Sequence, residues 1–162
     1  MKILVLSDSH GAGQTLYDIA ESESPGQIIF LGDCISDLSL VNRALPSLPI
    51  ICCRGNNDIF SDAPDEVTAH IGGWAVFATH GHRYGVKTGL SRLKRIIVDR
   101  NVDIVLYGHT HVPRLERDGG MIYVNPGSAG FSGDYAVIDT TQNTVTIKNQ
   151  NGRIKTETDL KK

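Results

Sequence analysis

Short apolar runs that each end at a polar cluster are the sequence feature that most constrains the fold. Such runs cover residues 2–7, 27–31 and 49–53, and apolar residues at helical spacing separate them, around residues 16–20 and 38–45. Continuous apolar runs joined by helices are typical of parallel strands that are buried on both faces. The first third of the chain therefore predicts repeated βα units and a parallel sheet, with the polar clusters at the carboxyl ends of its strands.

Beyond residue 65 the pattern is that of hairpins and one longer helix. The pair Gly72-Gly73 predicts a tight turn between the two strands of residues 66–79. The other predicted elements are a helix over residues 88–101, a strand over 103–107, hairpins over 114–124 and 135–148, and an edge strand with a frayed end over 151–162. We expect the hairpins within residues 66–79 and 113–148 to complete a second sheet.

Length and composition favour one ordinary globular domain. A chain of 162 residues can bury one sizeable core, and 40% hydrophobic with 21% charged residues is usual for a folded protein, so we expect residues 1–162 to form a single domain. A net charge of −2 gives no general attraction to nucleic acid or anionic lipid. The apolar run Ile3-Leu4-Val5-Leu6 is too short for a secretory signal or a membrane span, so a cytoplasmic location is expected.

Side chains of the kind that bind metals lie at the ends of five predicted strands. They are Asp8, His10, Asp33, Asn56, His80, His109 and His111. His109 and His111 are two residues apart, and on an extended segment such residues face the same way. Carboxylate, amide and imidazole ligands without a thiolate motif suit Mn²⁺, Fe²⁺, Zn²⁺, Co²⁺ or Ni²⁺ better than Ca²⁺ or a structural zinc. Seven ligands are too many for one catalytic ion that must keep open positions, so the sequence predicts two ions that share a carboxylate.

The order of these polar clusters resembles the motifs of the calcineurin-like metallophosphoesterases. The matching motifs are Asp8-x-His10, Gly32-Asp33-x-x-x-Asp37, Gly55-Asn56-x-Asp58, His80-Gly81-His82 and Gly108-His109-Thr110-His111. The short chain and the segment Asn125-Pro126-Gly127-Ser128 are most similar to the small YfcE-like phosphodiesterase branch of that family. The resemblance implies the metallo-dependent phosphatase fold, an α/β architecture of four layers (αββα) in which two mixed β-sheets are flanked by helices.

The same resemblance implies roles for individual residues. The expected ligands of one ion are Asp8, His10 and His111, and those of the other are Asn56, His80 and His109, with Asp33 bridging the two ions. Two divalent ions, expected to be Mn²⁺ with Ni²⁺, Fe²⁺, Zn²⁺ and Co²⁺ as alternatives, would activate a bridging hydroxide that attacks phosphorus directly. The predicted catalytic residues are Asp33, Asn56, Asp58 and His82. Asp37 and Asp58 could each support a ligand or cap a helix.

One position departs from the family pattern. Many relatives have a histidine after the motif asparagine, where this chain has Asn57. Because an amide cannot protonate a leaving group, we expect a phosphodiesterase that prefers aryl or nucleotide-type leaving groups. The alternatives are a phosphomonoesterase, a nuclease, or a scaffold module of the same fold with little or no activity. The expected partner is a small phosphate ester and neither a long nucleic acid nor a membrane, and association into a homo-oligomer stays open.

Overall fold

The computed structural model describes residues 1–160, which form two mixed β-sheets and a small number of helices. In chain order the strands are β1 (Lys2–Leu6), β2 (Gln27–Phe30), β3 (Ile50–Cys52), β4 (Glu66–Ile71), β5 (Trp74–Thr79), β6 (Ile104–Tyr107), β7 (Arg114–Asp118), β8 (Met121–Asn125), β9 (Asp134–Asp139), β10 (Thr144–Asn149) and β11 (Ile154–Asp159). The helices of this part are α1 (Gly13–Glu23), α2 (Ser39–Ala44) and α3 (Ser91–Ile97), and short 3-10 helices cover Ile35–Leu38 and His82–Tyr84.

The first sheet has the strand order β11-β10-β9-β1-β2-β3, and the second has the order β4-β5-β6-β8-β7. β1, β2 and β3 are parallel, as predicted, and β5, β6 and β8 form a second parallel set. The β9–β10 hairpin joins the first sheet, where β9 pairs antiparallel with β1, so the expectation that this hairpin completes the second sheet is wrong. All of β9 is buried, because Ala136 and Ile138 lie in the core between the sheets whereas Tyr135 and Val137 lie in the core beneath the helices.

Separate apolar cores hold the layers together. Val5 of the first sheet and Leu106 of the second lie in the core between the two sheets. Leu16 of α1 belongs to a core on the outer face of the first sheet, and Leu93 of α3 belongs to a core on the outer face of the second. Alternate residues of a strand face opposite sides, which is why continuous apolar strands can serve two cores. The order helix, sheet, sheet, helix confirms the predicted four-layer architecture.

Two helices differ from their predicted extents. The prediction placed one helix over residues 88–101, but α3 begins only at Ser91 and ends at Ile97. Gly89 has a φ of +135°, which residues with a Cβ rarely adopt, so the backbone turns before the helix begins. A second helix was predicted over residues 38–45. In the structure the 3-10 helix Ile35–Leu38 comes first, and α2 follows it from Ser39 to Ala44. Apolar spacing predicted these helices but could not locate the turns at their ends.

The last part of the described chain is an edge strand, as predicted. β11 lies at the end of the first sheet, next to β10, and Leu160 after it is buried in the core between the sheets. The remainder of the predicted frayed end, residues 161–162, lies outside the described residues. Within residues 1–160, none of the helices combines the length and the apolar character that crossing a bilayer requires.

Candidate metal centre

The seven predicted metal ligands come from both sheets and meet where the carboxyl ends of the central strands converge. Asp8 and His10 follow β1, Asp33 follows β2 and Asn56 follows β3, whereas His80 follows β5 and the pair His109 and His111 follows β6. The two sheets are in close contact here, because the backbone N–H of His109 donates to Asp8 Oδ2 at 3.0 Å. A Cβ at Gly108 would lie 2.1 Å from Ser7 Oγ, so this approach needs glycine.

The ligand atoms form two groups. Asp8, His10 and His111 make the first group, and Asp33, His80 and His109 make the second; within each group the ligand atoms lie within 4.8 Å of one another. In the first group, His111 Nε2 lies 3.0 Å from Asp8 Oδ1 and 3.3 Å from His10 Nε2. In the second group, His80 Nε2 lies 3.1 Å from His109 Nδ1. Nitrogen and oxygen donors held this close together are an arrangement that a divalent cation can bind.

Asp33 lies between the two groups. Its Oδ2 is 3.6 Å from His80 Nε2 of its own group and 3.7 Å from His10 Nε2 of the other. Asn56 is on the side of the second group, since its Oδ1 lies 3.2 Å from His80 Nε2. The structure thus brings all seven predicted residues together and divides them along the line that the family resemblance implies.

The hydrogen bonds and buried charge in this cluster also fit a cation. His80 Nδ1 donates to Leu31 O at 2.9 Å, which orients the ring so that Nε2 faces the cluster. Burial, helped by the charge of His80, lowers the pKa of His109 to about 4, so its imidazole is neutral at pH 7. Asp8 Oδ1 is buried and has no hydrogen-bond partner among the described residues. A buried carboxylate oxygen without a hydrogen-bond donor is costly unless a cation neutralises it.

Other carboxylates orient the ligands without joining them. Asp58 accepts hydrogen bonds from the backbone N–H groups of Asp33, Gly55 and Ile35, each at 2.8 Å. Asp58, predicted as catalytic, is therefore placed as a support that holds the Asp33 loop against the loop after β3. Asp37 Oδ2 has the same task at the next loop, where it accepts from Ser9 Oγ at 2.6 Å and from Gly11 N at 2.8 Å.

The backbone at the ligands is unusual. Asp8, His10, Asp33, His109 and His111 all have positive φ angles, between 44° and 68°. L-residues with a Cβ rarely adopt this left-handed region, and such strain concentrates at functional sites. The expectation that His109 and His111 lie on an extended segment and face the same way is wrong, because the left-handed turns send them to different ligand groups.

Asn57 has a role that the sequence did not reveal. Its backbone N–H donates to Asp33 Oδ1 at 2.9 Å and its side-chain Nδ2 donates to Asp33 Oδ2 at 2.8 Å. Asn57 therefore fixes the carboxylate that lies between the two groups. Asn125 acts in a comparable way, since its Nδ2 donates to Gly108 O and to Thr110 Oγ1, both at 3.0 Å, in the loop that carries His109 and His111.

His82 and Phe131 lie beside the cluster on different sides. The His82 ring is 5.4 Å from the His80 ring and its Nδ1 is buried with no hydrogen-bond partner in the described part of the chain. Burial lowers the pKa of His82, and the nearby His80 adds to this effect. The Phe131 ring lies 5.2 Å from the His10 ring and was not predicted as a site residue. The only signal for it in the sequence is an aromatic residue in the glycine-containing segment after Ser128.

Comparison with known proteins bears on what this cluster does. The sequence profile of the calcineurin-like phosphoesterase superfamily domain matches residues 1–149. The probable metallophosphoesterase YsnB of Bacillus subtilis is 28% identical over 155 residues, which cover 91% of this chain and 89% of that protein. The phosphodiesterase YfcE of Escherichia coli is 26% identical over 173 residues, covering 86% and 88% of the two chains. Vps29 of Entamoeba histolytica in complex with Zn²⁺ has a TM-score of 0.80 at 20% identity and covers 99% of this chain and 100% of its own; this likeness concerns the fold alone.

Proposed function

The chain belongs to the calcineurin-like phosphoesterase superfamily, and on this premise we propose that it is a phosphodiesterase that requires two divalent metal ions and hydrolyses small phosphodiesters. Water attacks phosphorus directly in this proposal, without a phosphoenzyme. Relatives named phosphodiesterase and probable metallophosphoesterase support phosphoester hydrolysis as the reaction class. The proposal further specifies Mn²⁺ as the ion, a small ester as the partner, and a single domain acting in the cytoplasm.

The position of Asp33 carries this proposal. One oxygen of its carboxylate, Oδ2, faces His10 Nε2 at 3.7 Å and His80 Nε2 at 3.6 Å, so it neighbours a ligand atom of each group. A single carboxylate oxygen between two ligand groups suits a bridge between two ions. Such ions, when bound, supply an activated water molecule and positive charge that neutralises the phosphate oxygens.

The chain's own groups orient the carboxylates and determine how the leaving group departs. Asn57 holds both oxygens of Asp33, and an amide has no proton to give to an alkoxide. His82 is neutral at pH 7 because burial lowers its pKa, and a neutral imidazole is a weak acid. Neither side chain readily supplies a proton to the leaving group, so esters with stable anionic leaving groups, such as aryl or nucleotide-type groups, are the preferred substrates.

Metal analysis combined with an activity assay tests the proposal. We expect the purified protein to carry divalent metal, to lose turnover of an aryl phosphodiester after chelation, and to regain it when Mn²⁺ is added back. Failure to bind metal together with absent turnover would contradict the enzyme and favour the scaffold alternative.

Variants of two histidines test the assignment of the ligands. His111→Ala removes a ligand atom that lies 3.0 Å from Asp8 Oδ1, and His109→Ala removes one that lies 3.1 Å from His80 Nε2. We expect anomalous scattering from crystals of the two variants to show loss of occupancy at different positions. Equal loss at one common position would show that the site holds a single ion.

The leaving-group preference has its own test. With Mn²⁺ present, we expect an aryl diester to be hydrolysed much faster than an alkyl monoester, because Asn57 and His82 give little help to an alkoxide. Comparable rates for the two substrates would refute the preference while leaving the metal assignment intact.

A further inference from the structure

Phe131 is a large apolar side chain that stays exposed directly beside the ligand cluster. Its relative exposure is 72%, although its ring centroid lies 5.2 Å from that of His10 and 5.1 Å from that of His111. The Phe131 ring is inclined at 40° to the His10 ring and at 31° to the His111 ring, and most of its surface faces solvent. The ring therefore presents an open aromatic surface next to the first ligand group.

The loop that carries Phe131 is fastened to the same strand end as Asp8. The backbone N–H of Ala129 donates to Ser7 O at 3.0 Å, and that of Gly130 donates to Asp8 O at 3.2 Å. The Ser128 hydroxyl donates to Asp8 O at 2.8 Å and accepts from Phe131 N at 3.0 Å. The position of the aromatic residue is thereby coupled to that of the metal ligand.

Glycine at position 130 makes this close packing possible. A Cβ there would lie 2.1 Å from Ser9 O, which is backbone and cannot move aside cheaply. The loop can therefore lie directly on the segment between Asp8 and His10. A backbone segment that is fixed before a ligand arrives loses little conformational freedom on binding, and this favours the use of Phe131 as a contact surface.

We propose that Phe131 is a specificity-determining residue that stacks against an aromatic ester group of the substrate. This inference rests on the proposed function, because the phosphate must lie at the ligand cluster for its ester group to reach the ring. Aromatic pairs in offset or tilted contact are worth enough to raise affinity about three- to tenfold beyond simple area burial. The structure thereby narrows the substrate class to phosphodiesters in which at least one ester group is an aryl group or a nucleobase-bearing group.

Binding of two phosphonates to the Mn²⁺-loaded protein tests this proposal without relying on turnover. Phenylphosphonate and methylphosphonate present the same anionic head and differ in whether they carry an aromatic ring. Calorimetry on the unaltered chain should give an affinity for phenylphosphonate about three- to tenfold above that for methylphosphonate. Equal affinities would overturn the role of Phe131. Failure of both phosphonates to bind would instead refute the proposed function, and the inference would fall with it.

Variants at position 131 separate stacking from mere support of the histidines. Phe131→Ala and Phe131→Leu should abolish the preference for phenylphosphonate while leaving methylphosphonate affinity unchanged, and Phe131→Trp should keep the preference. If Phe131→Ala and Phe131→Leu weaken both ligands equally, the ring only supports His10 and His111 and the proposal is wrong. If Phe131→Leu keeps the full preference, apolar area and not stacking explains it, and the proposal is again wrong.

Phe60 provides the matched control. It is fully exposed, lies in the loop after β3, and offers the same ring without being fastened to the Asp8 strand end. We expect Phe60→Ala to retain the preference of the unaltered chain. Loss of the preference in Phe60→Ala would show that exposed aromatic surface in general attracts phenylphosphonate, which would overturn the assignment to Phe131.

Discussion

Glu23 and Asp8 are both buried carboxylates, yet their surroundings are arranged in opposite ways. Glu23, at the end of α1, is 7% exposed, and its Oε1 accepts from Tyr135 OH and Lys148 Nζ, both at 2.8 Å. Its Oε2 accepts from Lys2 Nζ at 3.2 Å. Every oxygen of Glu23 thus has a donor supplied by the protein itself.

The cluster around Asp8 contains a buried carboxylate oxygen that the described residues leave without a hydrogen-bond donor. Asp8 is 0% exposed, and within residues 1–160 its Oδ1 lacks a hydrogen-bond partner. Two further ligand pairs, His10 with His111 and His80 with His109, bring ring nitrogens to 3.3 Å and 3.1 Å. The contrast teaches that burial of polar groups alone does not mark a functional site. A satisfied cluster stabilises the fold, whereas an unsatisfied one is arranged for something that binds.

The largest difference between the two clusters should appear in activity. Asp33→Asn removes the charge between the two ligand groups, and we expect kcat/KM on an aryl phosphodiester to fall on the order of a thousandfold. Glu23→Gln should stay within a few-fold of the unaltered chain, since Glu23 lies in the other cluster. Steady-state kinetics with Mn²⁺ in excess measure both. Near-normal activity of Asp33→Asn would show that the two clusters do not differ in their importance for activity.

The second-largest difference between the clusters should appear in how strongly metal stabilises variants of each. Because ions bind the folded chain, Mn²⁺ at about one hundred times its Kd should stabilise the chain by about 2.7 kcal/mol. For a chain of this size this corresponds to a rise in Tm of roughly 5–10 °C. Thermal unfolding with Mn²⁺ or with a chelator should show the full rise for Glu23→Gln and most of it lost for Asp33→Asn. A full rise in both variants would place the bound metal elsewhere.

The Glu23 cluster should matter for stability in a pH-dependent way. Burial raises the pKa of Glu23, but hydrogen bonds from Lys148, Tyr135 and Lys2 outweigh it and the pKa is lowered. The unfolded chain then binds more protons, so this stabilisation is present above the ordinary Glu pKa of about 4.3 and is lost as the pH falls through the lower folded value. Glu23→Gln should cost about 1–3 kcal/mol at pH 7, with the difference shrinking below about pH 4. Urea unfolding at both pH values measures this, and a constant difference would contradict the assignment.

The smallest expected effect is a gain in stability, whereas Glu23→Gln should lower stability. In chelator, Asp8→Asn should raise stability by about 1 kcal/mol, or roughly 2–4 °C in Tm. The amide can place Nδ2 where Oδ1 lies and donate to His111 Nε2, while its oxygen keeps the bond from His109 N. Thermal unfolding beside Glu23→Gln provides the comparison, since that variant should be less stable under the same conditions. A loss of stability in Asp8→Asn would mean that the metal-free cluster is not strained.

Sequence patterns predicted much of the site because its residues lie at the ends of strands. Continuous apolar runs located β1, β2 and β3, and the residues just beyond them are Asp8, Asp33 and Asn56. Parallel strands bring their carboxyl ends to one edge, so these side chains had to be neighbours. The family resemblance then supplied the division into two ligand groups, which residue spacing alone had left open.

The features that sequence patterns missed depend on contacts between distant segments. The pairing of β9 with β1 joins residues more than a hundred positions apart, and an alternating hairpin pattern fits either sheet. From the sequence, Asn57 could be interpreted only as the absence of the histidine that many relatives have. Its hydrogen bonds to Asp33 could not be predicted, because they depend on how two loops pack. The position of Phe131 beside the ligand cluster could be recognised only in the structure, where its loop packs on the Asp8 strand end. The fully apolar sequence Tyr135-Ala136-Val137-Ile138 was an available signal that β9 is a central strand.

The position of β1 between β2 and β9 has a consequence for how the protein is made. Ile3 pairs with Gln27 on one side and with Ile138 on the other, so one edge of β1 stays open until β9 has left the ribosome. At typical synthesis rates the roughly 100 intervening residues take about 5–20 s. The loop that anchors the Asp8 strand end, Ser128 to Gly130, is completed equally late. The Asp8 strand end therefore reaches its final contacts only late in synthesis, and until then β1 has one unpaired strand edge, which is a site at which aggregation can begin.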